Sequence, residues 1–524
     1  MPTASWICYP VSSPLKYRIE VSTRESRLYI CRTLCFLYVT LSVPVVCAGE
    51  SALIEAIKNN QDHADIVQLI DQSDDINLAD MDGATPLHWA VQRNNTDIVV
   101  KLLQTGADPD HANPYGVTPL WLACTNRNSA IIEKLLSSGA NPNAVLSTNE
   151  SVLMNCVRTG TTVAVESLIK AGAEVNSRES DKGQTALMWA AANNYPDITR
   201  TLIEHGADSD AKSNSGYTPL LFAVSAGDLD SARLLMEAGV SVNQPVPEYG
   251  NALVLAAASG HDEMALLLIR SGADIQSEDS WGVTPLHYAV RGGLSLLDGV
   301  IYDAAYRTRP RSSIELASTL LEAGADPDRQ IKKNRMLGPD GTPFLMEGAT
   351  PFLLAAAAAD IPMMQLLMKY KADIHMPTSE DVTPFMAATQ AACTGTCAYQ
   401  EGGNVASKQD VDKALNAVRF LMEQGVDVNH TDQEGRTAMH IAAFTGSDPV
   451  VQFLADHGAR VDVKNLYGET PWSMASGMSP SLENTGLYGK HETTAALLLK
   501  LGARPVLLED LIDPYAPVPE TKAR

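Results

Sequence analysis

The sequence predicts an all-α chain built by repeating one short unit of two helices. Three observations carry this reading. The phrase G-x-T-P-L recurs along the chain, its leucine returning every 33 residues through most of the first half. A second phrase, L-L-x-x-G-A-D, follows it; Leu87 and Leu102 are separated by 15 residues. The residues bounding both phrases are those that start and stop helices.

Thr85 opens the first helix, its hydroxyl suited to cap the helix start. Pro86 fits the first helical turn, where its missing N–H costs nothing. Leu87 is the buried anchor. Small residues such as Ala90, or the pair Ala191 and Ala192, let two helices approach closely. The leucines of "LLQTGADPD" form the apolar side of the second helix, and Gly106 ends that helix in a left-handed conformation. Asp108 and Pro109 begin a turn into the next copy. The first phrase reads "GATPLHWAV" from Gly83, "GVTPLWLAC" from Gly116, "GQTALMWAA" from Gly183 and "GYTPLLFAV" from Gly216. It continues as "GVTPLHYAV" from Gly282, "GATPFLLAA" from Gly348, "DVTPFMAAT" from Asp381, "GRTAMHIAA" from Gly435 and "GETPWSMAS" from Gly468.

This pattern, T-P-L-H-x-A-A followed by L-L-x-x-G-A-D at a period of 33, resembles the ankyrin repeat. The likeness runs from residue 51 to about 505 and gives about twelve copies, the first degenerate as a terminal cap would be. It implies a solenoid of antiparallel helix pairs with β-turn fingers, and binding of other proteins through a concave face. It also implies that His88, His287 and His440, at the fourth position of T-P-L-H, are structural hydrogen-bonding residues.

The anchors Leu87, Leu120, Leu153, Leu187, Leu220, Leu253, Leu286, Phe352, Phe385, Met439 and Trp472 locate the irregularities. Their gaps are 33, 33, 34, 33, 33, 33, 66, 33, 54 and 33. Residues 49–282 are therefore regular repeats, and residues 283–505 carry insertions. Leu286 to Leu320 spans 34 residues, Phe385 to Leu421 spans 36 and Trp472 to Leu498 spans 26, where 15 is regular. These excesses fall between the two helices of repeats eight, ten and twelve. Another 14 residues, after Leu320, make a long finger ending at Gly348. At roughly 10 Å per stacked repeat, the three helix-connecting insertions are expected along one edge, about 20 Å apart, with the long finger on the opposite edge. Residues 506–524 form a tail.

The net charge of -23 argues against nucleic acid and against an anionic membrane surface. Against that background the inserted segments of repeat eight form a basic island, with Arg307, Arg309, Arg311, Arg329, Lys332, Lys333 and Arg335 beside Tyr302 and Tyr306. Arginine and tyrosine are enriched at interface centres. These residues other than Arg329 and Arg335, with Tyr399 in the insertion of repeat ten, are the candidate partner contacts. That insertion also holds Cys393 and Cys397, a candidate disulfide if the chain reaches an oxidising compartment. Cys124 and Cys156 fall at small-residue positions of first helices and read as compact apolar side chains. Trp89, Trp121 and Trp189 on first helices are either exposed anchors or core.

Residues 1–48 read as a signal peptide or N-terminal extension. Arg24, Arg27 and Arg32 precede the apolar run Thr33–Ala48, and Val46 and Ala48 suit a cleavage site that leaves Gly49 first. The expected location is therefore exported, periplasmic or secreted, with a membrane role limited to that signal or anchor. A cytoplasmic location is the alternative.

No nucleotide-binding, metalloprotease or hydrolase motif is present. No catalytic residues, cofactor or metal site is expected. The expected function is a non-enzymatic scaffold that binds a protein through the concave face and the C-terminal insertions. Two rival readings use the same residues: a redox or enzymatic factor built on Cys393 and Cys397, and a cytosolic regulatory ankyrin protein with a mis-assigned start.

Overall fold

A computed structural model describes residues 51–290, 312–333, 347–391, 408–479 and 490–512. Among these residues it is helical throughout, with no extended strand beyond three isolated bridges. Contacts divide the chain into two units that meet between Asn214 and Ser215 in sequence.

Unit 1 holds ten helices among its described residues, arranged in consecutive pairs. Pro86–Gln92 and Thr96–Gln104 are representative. Helices of seven and nine residues are too short to persist alone in water, so packing holds them. Thr85 stands extended before its helix and its hydroxyl accepts from the His88 N–H, as expected of a cap. Asn95 and Asn128 cap the second helices, accepting from the N–H of Ile98 and Ile131. Gly106 ends its helix with φ 96°, a conformation a side chain would resist. Leu87, Leu102, Leu120, Leu135, Leu153 and Leu168 have essentially no exposure and form the core. Between first helices, Ala90, Ala123 and Ala190 are fully buried. Their size lets backbones approach.

Unit 2 repeats the design with fourteen helices among its described residues. Residues 291–311 separate Pro285–Ala289 from Ile314–Glu322, and residues 392–407 separate Pro384–Gln390 from Lys408–Met422. Lys408–Met422 has 15 residues where other second helices have nine, so it absorbs part of its insertion as extra helical turns.

The long finger is closed at its base. Ile331 donates to the Ala349 carbonyl at 3.0 Å, and Gly348 donates back to Ile331 at 2.7 Å. Ile331 itself is buried.

One expectation is corrected. Cys124 and Cys156 are not independent apolar side chains but partners in a disulfide, with Cα atoms 4.8 Å apart. It joins Pro119–Thr125 to Val152–Thr159, the first helices of adjacent pairs. The two cysteines lie 32 residues apart in a 33-residue period. Equivalent positions on stacked helices point the same way; an offset of one residue, about 100° around the axis, turns the two toward each other.

Candidate protein-interaction face

Several fingers are templated by one side chain placed before the helix. Asp80 Oδ1 accepts from the N–H of Asp82 and Ala84, at 3.1 and 2.9 Å. Asn113, Asp279, Asp432 and Asn465 do the same five residues before their own threonines. Sequence reasoning missed this position, where an Asp or Asn stands in five of the repeats, at Asp80, Asn113, Asp279, Asp432 and Asn465. The finger with one extra residue, in the 34-residue gap, uses Glu179 instead. Its longer side chain reaches the N–H groups of Asp181, Lys182 and Gln184 at 2.7 to 3.0 Å.

A second device links neighbouring copies. Asn143 donates from Nδ2 to the Gly172 carbonyl at 3.0 Å and accepts at Oδ1 from the Glu174 N–H at 2.7 Å. Asn77, Asn176, Asn243 and Asn429 make the same two-handed clasp.

The histidines behave as the resemblance implied. His88 receives the Thr85 hydroxyl at Nδ1, 2.8 Å away, and reaches the Val117 carbonyl through Nε2 at 3.1 Å. With the second nitrogen facing a carbonyl, the proton sits on Nε2 and the ring is neutral. Burial pulls the pKa values of His287 and His440 down to about 4.

These supports hold in place a row of side chains on the first helices. In unit 1, the position four residues after the cap carries Trp89, Leu122, Asn155 and Trp189. Trp121, one position earlier, is core at 6% exposure. Trp89 and Trp189 are half-buried, each with its indole N–H held: Trp89 donates to Asp80 at 3.0 Å and Trp189 to Gln184 at 2.8 Å. Lys58 lies 4.2 Å from the Trp89 ring centre and is also bound to Asp80 at 3.1 Å. Burial alone would raise the Asp80 pKa, but hydrogen bonds from the Ala84 N–H, Trp89, Lys58 and the Asp82 N–H bring it below the ordinary range. Asn155 is buried between helices, donating to the Trp121 carbonyl and the Thr125 hydroxyl. It accepts from Arg158 at 2.7 Å, and the Arg158 guanidinium stands 5.8 Å from the Trp189 ring centre. Two of the four positions are thus tryptophans, each with a cation near its ring and its N–H held.

In unit 2 the same position holds Phe222, Leu255, Tyr288, Leu354, Ala387, Ile441 and Met474. Tyr288 donates from its hydroxyl to Asp279 at 2.7 Å, the counterpart of the Trp89–Asp80 bond.

Of the contacts expected from sequence, Lys332 and Lys333 are described, and both are exposed. Their backbone N–H groups bind the Trp281 carbonyl at 2.9 and 3.2 Å. Lys332 also pairs with Glu278, which Arg329 holds from the other side at 2.6 Å. Burial would raise the Glu278 pKa, but hydrogen bonds from Lys332 and Arg329 outweigh it and lower it. Part of the expected basic island is thus spent inside the molecule. Tyr302, Tyr306, Arg307, Arg309, Arg311, Tyr399, Cys393 and Cys397 lie outside the described residues, as do residues 1–50 and 513–524. Among the described residues no set of three His, Cys, Asp or Glu is placed to hold a metal. No described helix is long and apolar enough to cross a membrane.

A family model for ankyrin repeats in three copies matches residues 53–145, 153–246, 243–331 and 405–506. The chain belongs to the ankyrin-repeat family. Within it, human ankyrin repeat and SOCS box protein 16 is 31% identical over 202 residues, 38% of this chain and 37% of that protein. A Caenorhabditis elegans homolog of transient receptor potential cation channel subfamily A member 1 is 30% identical over 127 residues, 24% of this chain and 9% of the channel. Serine/threonine-protein kinase 12 of Arabidopsis thaliana is 39% identical over 61 residues, 12% of this chain and 13% of the kinase. The chain therefore spans little more than a third of the human relative and far less of the other two. These proteins differ from one another in name and resemble this ankyrin-repeat chain over limited segments.

Proposed function

We propose that this ankyrin-repeat protein is a non-enzymatic scaffold of about twelve repeats that binds a protein partner outside the cytoplasm. The observation that carries the reading is the pair of tryptophans that share one repeat position in unit 1. Trp89 and Trp189 are large, half-buried and locked by hydrogen bonds at the indole nitrogen. Rigid aromatic surface of this kind supplies contact area with little entropy left to lose, which is what interface anchors require. The partner engages this face, the concave face of the family, together with the C-terminal insertions that carry Tyr302, Tyr306, Arg307, Arg309, Arg311, Lys333 and Tyr399. Lys332, already bound to Glu278, contributes less.

Export rests on two supports. One is the basic and apolar pattern before Gly49. The other is the Cys124–Cys156 disulfide, a bond typical of oxidising compartments.

The test is capture from extracts of the native host. Bait proteins are the full chain, a Trp89→Ala/Trp189→Ala variant, and a variant with the three helix-connecting insertions trimmed to ordinary turns. Loss of one partner with both variants supports the joint site. A partner retained by the tryptophan variant removes the first-helix face from the reading, and retention by the trimmed variant removes the insertions.

A further inference from the structure

We infer that the Cys124–Cys156 bond is made on the unfolded chain, by a disulfide-bearing oxidant, before the two helix pairs that carry it pack together. Both cysteines have 0% exposure in the folded unit. Their helices are also laced across by Asn155, itself fully buried, which donates to the Trp121 carbonyl at 2.9 Å and to the Thr125 hydroxyl at 3.0 Å. A packed stack presents neither sulfur to an oxidant. Thiol–disulfide exchange needs a thiolate in reach of the attacked sulfur, and burial among apolar groups disfavours the thiolate as well. A chain that folds with both thiols reduced therefore keeps them reduced.

The step balances as an exchange with a carrier disulfide. One cysteine, as thiolate after losing its proton to water, attacks the carrier and forms a mixed disulfide, expelling one carrier thiolate. The second cysteine thiolate attacks the protein sulfur of that mixed bond. The Cys124–Cys156 bond forms, and the carrier leaves as a dithiol holding the two electrons and, after protonation, the two protons. This order of events rests on the export reading above, because it requires the chain to meet an oxidising compartment while still unfolded.

The test compares two refolding reactions of the full chain, both started from denaturant and reductant. In one, oxidised glutathione is present from the start. In the other, the chain first refolds reduced and oxidised glutathione is added afterwards. Free thiols are then alkylated and the cross-linked peptides are read by mass. The expected result is the Cys124–Cys156 peptide in the first reaction and at least tenfold less of it in the second. Equal yields at equal rates overturn the inference, and so does absence of the cross-link from both. The export reading is checked separately, by sequencing the N-terminus of protein from the native host and mapping its thiols in the same sample. Gly49 with a cross-linked pair supports both readings. Gly49 with Cys124 and Cys156 alkylated overturns the inference and leaves export standing. An unprocessed start defeats export, and the refolding pair alone then decides the inference.

Discussion

His287 reaches the carbonyl of Ala349 through Nε2 at 3.4 Å, 62 residues further along the chain. Its counterparts His88 and His440 reach carbonyls only 29 residues on. The difference is one full period of 33. The 66-residue gap between anchors Leu286 and Phe352 could hide a missing repeat, but the bond shows that it holds two insertions instead. The stacking contact is kept across the 66-residue gap.

The same histidines set a pH dependence. Unfolded imidazole titrates near ~6.5, whereas His287 and His440 are held at about 4 by burial. Between those values the unfolded chain binds protons that the folded chain refuses. Stability is therefore full above pH ~6.5 and falls as the pH drops toward 4, by about 1.4 kcal/mol per pH unit for each ring. Urea unfolding of the wild type and a His287→Gln/His440→Gln variant across this range checks it. The variant is expected to show the shallower slope; parallel curves would remove the histidines as the cause.

The asparagine clasp predicts graded losses. Asn143→Ala removes both bonds to the next copy, to Gly172 and Glu174. The expected loss is about 1–2 kcal/mol. Asn143→Asp keeps the acceptor for the Glu174 N–H and loses only the donor, so its midpoint in urea is expected between those of the wild type and the alanine variant.

Glu179 predicts a length requirement. Its carboxylate gathers three backbone N–H groups in the finger that carries the extra residue. Glu179→Asp keeps the charge but shortens the reach, and is expected to lower stability by about 1–2 kcal/mol. The reverse change, Asp80→Glu, overfills an ordinary finger and is expected to be destabilising as well. Thermal unfolding of both variants measures this; a neutral Glu179→Asp would show that the finger does not depend on its template.

The disulfide predicts a size of effect. Closing a loop across a separation of 32 residues restricts the unfolded chain by about 4 kcal/mol in the chain-entropy account. The Cys124→Ala/Cys156→Ala variant should unfold at lower urea than the oxidised wild type. Identical midpoints for the two proteins would contradict a stabilising role.

Much of this molecule was legible because a repeat states its rules many times. Thr85, Pro86, Leu87 and Gly106 each serve a local purpose, namely capping, starting, anchoring and ending a helix. Local purposes leave local signatures, so the helix pairs followed from spacing alone. The finger template at Asp80 was missed because its type changes between copies, to Leu146, Val246 or Thr378, so spacing alone does not single it out.

What the sequence determined by itself is the fold, because each element is fixed by residues within a few positions of it and the 33-residue period repeats the instruction. Only the tertiary structure decided which side chains meet. Cys124 and Cys156 looked like core because burial is a property of one position, whereas a bond depends on two helices brought side by side and turned by one residue of offset. Lys332 looked like an open cation for the same reason: Glu278, its partner, is 54 residues away in the chain and beside it in space. Trp121 and Trp189 differ by one repeat position, and packing buries the first while leaving the second at the surface with its N–H held by Gln184. Pairings across the stack depend on distances between copies, and no residue encodes those distances alone.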